Sequence, residues 1–231
     1  MAQLLRLLCV LEGALLSSSA FAQAGGAPTS SSRAAAASRF PYPQAAVSAA
    51  TTALTVFPKL VTRDNFKALG FEHLEDVQSA KLGEPLRDFF VPLDELKRYA
   101  PGVDPRGLVK SGQALLFPVL VGDAVRSSIS VSLVKDTWKA TSYGAPKLTR
   151  YITDVRAAKA VEAQLAPSAF VVVRVPALMV SFVGHSDAGV LLLTPIVDDA
   201  RFGFKAGATL PAGQVFEKLQ PAAQKHDGSP T

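Results

Sequence analysis

The chain has 231 residues, of which 48% are apolar and 19% charged, the balance of a globular protein long enough for one sizeable core or two small ones. The net charge of +5 is mild, basic residues alternate with acidic ones along the chain, and no basic run carries interleaved aromatics, so no nucleic-acid partner is expected. Cys9 is the only cysteine, and it lies in the leader described next, which excludes disulfides, a cysteine nucleophile and thiolate metal sites from the mature chain.

Met1 to Arg6 is positive, Leu7 to Leu16 is an apolar run of secretory length, and Ser17 to Ala22 ends in Ala-Phe-Ala. Residues 1–22 therefore read as a signal peptide cleaved after Ala22, too short to span a bilayer, with no transmembrane segment expected after cleavage. Leu7 and Leu8 before Cys9 argue against lipidation there. An export signal without disulfides predicts a periplasmic or secreted protein of a bacterial envelope.

Residues 23–52 are rich in Ala, Ser and Pro and poor in large apolar side chains, which predicts a linker; Phe40-Pro-Tyr-Pro is the exception, suited to docking in extended form. Residues 53–220 are expected to form a single α+β domain and 221–231 a polar tail. Thr62 to Leu69 predicts a short helix closed by Gly70 in the left-handed region, and a second short helix starts near Glu72, with His73 on its wet side. Leu86 to Val91 predicts a strand, and Leu93 to Tyr99 a short helix stopped by Pro101-Gly102.

Residues 114–143 predict a three-stranded antiparallel meander. Val125, Ile129, Val131 and Leu133 alternate with Arg126, Ser128, Ser130 and Ser132, the period of a strand with one face in water. A two-residue turn at Lys135-Asp136 sets Leu133 opposite Trp138 and Val131 opposite Ala140. Leu148, Tyr151, Ile152, Val155, Ala158 and Leu165 then predict a long helix over about 145–165, packed across the face that carries Trp138. A second strand pair is expected over 169–196, with GHSDAG as its polar loop, followed by a short helix from Leu210 to Leu219. Ala114 and Ala177 open stretches that look alike in outline, which raises a duplicated hairpin. The architecture predicted is thus an antiparallel sheet crossed by one long helix, with short helices at its N-terminal side.

His185, Ser186 and Asp187 contain the residue types of a hydrolytic triad, but a triad converges from separate segments and no G-x-S-x-G is present, so a polar hairpin tip is favoured. The three histidines, His73, His185 and His226, are far apart in sequence, so no metal site is expected. Asp198-Asp199 favours turn formation over calcium binding, and with no Gly-rich phosphate loop no cofactor is expected. No motif names a family; the order of elements is loosely similar to cystatin-like modules, a resemblance of architecture that carries no function. The function expected is an exported, non-catalytic protein that binds a protein or envelope component. Against it stand a hydrolase built from His185, Asp187 and Asp198, and a structural part of an envelope assembly.

Overall fold

The computed structural model describes residues 42–228. The expected signal peptide, Cys9 and linker residues 23–41 lie outside them. Helix α1 (Gln44–Leu60) begins within the stretch expected to be a linker. Its stripe of Ala46, Ala50, Ala53 and Phe57 is buried, the three alanines letting the helix axis come close to the sheet. A run of turns follows and ends at Gly70 with φ +95°; the second helix expected there is a 3₁₀ turn, Leu74–Ser79, at whose start the His73 backbone N–H donates to Asp76 Oδ2.

Strands β1 (Lys81–Leu82) and β2 (Leu86–Phe90) precede a short helix α2 (Leu93–Lys97). The meander then comprises β3 (Lys110–Val121), β4 (Ala124–Val134) and β5 (Thr137–Tyr143). Lys135 and Asp136 both take positive φ, the two-residue hairpin turn that matches strand twist, and Leu133 faces Trp138 while Val131 faces Ala140. Helix α3 (Pro146–Ala163) starts with proline at its first position and is followed by β6 (Val171–Val175), β7 (Val180–Asp187), β8 (Val190–Pro195), β9 (Leu210–Pro211) and helix α4 (Ala212–Lys225). Helix α4 runs well past Leu219, into the residues expected to be a polar tail.

The nine strands form one sheet in the order β5-β4-β3-β2-β6-β7-β8-β9, with β1 also paired to β3. All pairs are antiparallel except β2 with β6, which run parallel, Arg87 beside Val171 and Phe90 beside Arg174. This seam overturns the expected α+β architecture of an antiparallel sheet with one long helix: the sheet is mixed, and three helices of 14 to 18 residues cover both its faces. A parallel pair needs a long crossover, and here the chain between β2 and β6 contains the whole first meander and α3.

The alternation of side chains fixes which helix covers what. Leu115, Phe117, Val119, Ile129 and Val131 pack under α1, and Val173, Val175, Phe182 and Leu193 pack under α4 together with Leu96 of α2. Leu115 pairs with Arg87 and Arg87 with Val171, so α1 and α4 share one face at opposite ends of the sheet. Leu86, Leu116, Phe170, Val172, Val183 and Ile196 point the other way and meet Ile152 of α3, which thereby bridges the seam. On that same face Asp88 and Arg174 form an ion pair across the seam at 3.0 Å, the two atoms poorly aligned for a hydrogen bond, and burial pushes the Asp88 carboxyl above its ordinary range.

Each half therefore repeats one order: a long helix, a seam strand and a three-stranded meander (α1, β2, β3–β5; then α3, β6, β7–β9), with the two long helices on opposite faces. The hairpins that look alike in sequence, β3–β4 and β7–β8, hold the same place in the two halves.

The expected packing of α3 over Trp138 is also corrected. Trp138 is half-buried and belongs to the cluster under α1, while α3 covers the other face. Replacing Trp138 by alanine is accordingly expected to cost about 1–2 kcal/mol rather than the 3–5 kcal/mol typical of a fully buried ring, as read from urea melts.

Candidate functional site

His185 does not lie on a hairpin tip. Strand β7 continues to Asp187, and the turn needs only Ala188 and Gly189, both at positive φ. His185 is 6% exposed; its ring lies 4.9 Å from that of Phe170, and burial pulls its pKa below the ordinary histidine value, against the opposing charge of Asp187. Ser186 follows on the opposite face of the strand, so the imidazole cannot act as its base. Asp187 ends β7, whereas Asp198 lies beyond the other end of the β7–β8 hairpin. There it accepts the Ala206 N–H at 2.8 Å and pairs with Lys205, which holds its carboxyl below the ordinary range. Asp198 thus shapes the 198–206 loop, and the three residues do not converge.

Of the recesses that draw on several segments, the one edged by the most exposed apolar side chains lies at the N-terminal end of α3. Leu148 and Tyr151 from the first turns of α3, Met179 and Ser181 at the start of β7, and Ile196 and Val197 beyond β8 enclose a recess of about 300 Å³, with Lys147 and Asp199 at its rim. Its position follows from local chemistry. Pro176 breaks the extended chain between β6 and β7 into a 3₁₀ turn, whose end leaves Met179 in the left-handed conformation at φ 54°. That turn pushes the Met179 side chain into water, and Met179, Tyr151 and Val197 remain 68%, 45% and 44% exposed. Three large apolar groups left uncovered around one recess are unlike scattered surface apolar residues.

The rim is charged and fixed. Arg201 donates to both oxygens of Asp199, at 3.0 and 2.7 Å, and to the Leu178 carbonyl at 3.2 Å, tying the loop after β8 to the turn that carries Met179. These bonds hold the Asp199 carboxyl below its ordinary range, so it stays anionic in a lining that also holds Lys147.

The first half has a recess in the corresponding place, where the start of α1 meets the far end of its own meander. It is smaller, about 240 Å³, and is lined by Pro43, Arg87, Gln113, Leu115, Leu133 and Trp138. There Pro43, just before α1, lines the recess, and beside it the Tyr42 ring lies 5.5 Å from the Arg87 guanidinium with its hydroxyl donating to the Pro85 carbonyl at 2.8 Å. In the second half the residues before α3 are Gly144 and Ala145, which have no side chain able to do the same.

No protein-family model, curated protein or solved structure matches the chain. Among the described residues no group of three or more His, Cys, Asp or Glu side chains is placed to hold a metal ion, and no helix is long and apolar enough to cross a membrane. Sequence reasoning missed Met179 and Val197 altogether and placed Tyr151 on a buried stripe. The signal that exposes Met179 is Pro176, which opens the turn ending at that residue.

Proposed function

We propose that the chain is an exported, non-catalytic binding protein of the bacterial envelope that holds an extended segment of a partner protein in the recess between α3 and the β7–β8 hairpin. The observation that carries this reading is the trio of Tyr151, Met179 and Val197, exposed around one recess whose rim is rigidly pinned by Arg201. The first half supports the choice of occupant, because at the corresponding place an aromatic and proline segment, Tyr42-Pro43, lies in extended form against the sheet. A flexible methionine suits a site that must adapt to a chain of varied side chains. A recess of about 300 Å³ has room for a few side chains and is not a broad flat surface, which favours one inserted segment over a structural contact within an assembly.

The reading is tested with a photo-reactive amino acid in place of Tyr151 and, as control, in place of Val161, which is 81% exposed at the far end of α3. Crosslinking in intact cells should capture one recurring partner peptide from position 151 and not from 161. The same partner should be lost from a Met179→Ser/Val197→Ser double variant whose stability changes by no more than roughly 0.5 kcal/mol, the range for surface positions. Lipid alone at position 151, equal capture at both positions, or capture undiminished in the double variant would each overturn it.

A further inference from the structure

We propose that His185 is an acid-sensitive latch, so that its protonation loosens the C-terminal half of α3 from the sheet. The imidazole lies on the face of β7 that α3 covers, 94% removed from solvent by the 6% exposure it retains, with Phe170 against its ring and Leu192 beside it in the sheet. Its Nδ1 has no hydrogen-bond partner among the described residues. A neutral imidazole can leave one ring nitrogen bare at modest cost, since that nitrogen then carries a lone pair and no proton. A charged imidazolium has two N–H donors, and here one of them would be buried with nothing to accept it, on top of the cost of placing the charge itself.

The charged groups acting on the ring are few. From α3 come Lys159 and Glu162; from the histidine's own strand comes Asp187; Phe170, from the segment leading into β6, contributes none. Lys159 Nζ lies 2.6 Å from Glu162 Oε2, so this carboxylate is already engaged with a cation. Burial lowers the affinity of His185 for a proton, Asp187 and Glu162 raise it, and Lys159 lowers it, with the net direction downward.

The folded pKa lies below the unfolded value of about 6.5, so the docked state binds fewer protons than the open one. Stability of the α3 contact is fully present above that unfolded value and is lost as pH falls through it toward the folded pKa. Below the folded pKa the loss levels off. What opening would expose is the apolar surface of Phe170, Val172 and Val183, now covered by α3.

The test is hydrogen exchange on the whole protein between pH 7.5 and 5, corrected for the intrinsic rate. Amides of residues 155–163 should lose protection by up to about tenfold per pH unit once below roughly 6.5, while those of β3 and β4 keep theirs. A His185→Gln variant, which cannot take up the proton, should show no such step. Retention of the full acid response in that variant, or a gain in protection on acidification, would overturn the proposal. Should the variant fold poorly, the wild-type imidazole resonance decides the matter by itself, assigned by comparison with His73→Gln and His226→Gln: a titration midpoint at or above the ordinary histidine value would sink it.

Discussion

Replacing Phe57 by alanine is expected to remove about 3–5 kcal/mol of folding stability, a large part of what a domain of this size has to lose. Phe57 is fully buried at the end of the small-residue stripe of α1, with its ring 5.6 Å edge-on from Phe71 and 5.1 Å from Tyr143. No neighbour can fill the space it would leave, because the rest of the stripe is alanine and the sheet below is already packed by Phe117 and Ile129. Urea melts with an unchanged slope and a much lower midpoint would give the expected result. A loss under about 1 kcal/mol would mean that α1 contributes little to the fold and that the domain starts after it.

Gly70→Ala should be nearly as damaging, for a different reason. At φ +95° any side chain is strained, and a Cβ built there would fall 1.8 Å from the Arg126 carbonyl oxygen and 2.6 Å from Pro146 Cβ. Neither can give way easily: Arg126 belongs to β4, where it also pairs with Glu72, and Pro146 opens α3. Gly102 provides the control, since it has φ +87° with nothing within 4 Å of the added carbon. Its alanine variant should show only the cost of the left-handed conformation, about 1–2 kcal/mol, and Gly70→Ala should exceed that by at least another 2 kcal/mol. Equal losses in thermal melts would show that the turns before Gly70 can move off β4 freely.

The parts of the fold readable from sequence were those with a short-range cause. Alternation from Val125 to Leu133 and the Lys135-Asp136 turn specify β4, β5 and their register beside the turn, because a one-residue slip there would turn Val131 out of the core; beyond it a bulge between Ser130 and Val131 shifts the pairing, and Ser128, expected on a face in water, is buried against the Gly144 carbonyl. The seam has no such signature. Nothing in Leu86–Phe90 or Val171–Val175 says that the two strands run side by side and parallel, since the pairing depends on where the intervening meander and helix place their ends. Helix α1 was hidden by its composition: Ala46, Ala50 and Ala53 look like linker residues, although their spacing is that of a buried helical stripe. The Gly184–Gly189 stretch misled in the opposite direction, its turn-forming residues suggesting a loop where a strand carries a buried histidine. The recess escaped notice because its walls come from α3, the Met179 turn and the loop after β8, and which apolar side chains stay exposed is decided only when those three meet.

The parallel seam also sets an order of events for the chain. Each hairpin joins residues close in sequence, whereas the seam joins positions more than eighty residues apart, at a loop-closure cost roughly 3 kcal/mol greater than that of a two-residue turn. The two meanders can therefore be assembled from their own local sequence, while β2 and β6 have nothing to gain from meeting until both are in place. Helix α3 lies between them in the chain and across them in space, so the segment that must be threaded before the halves can join is the one that afterwards clasps them together.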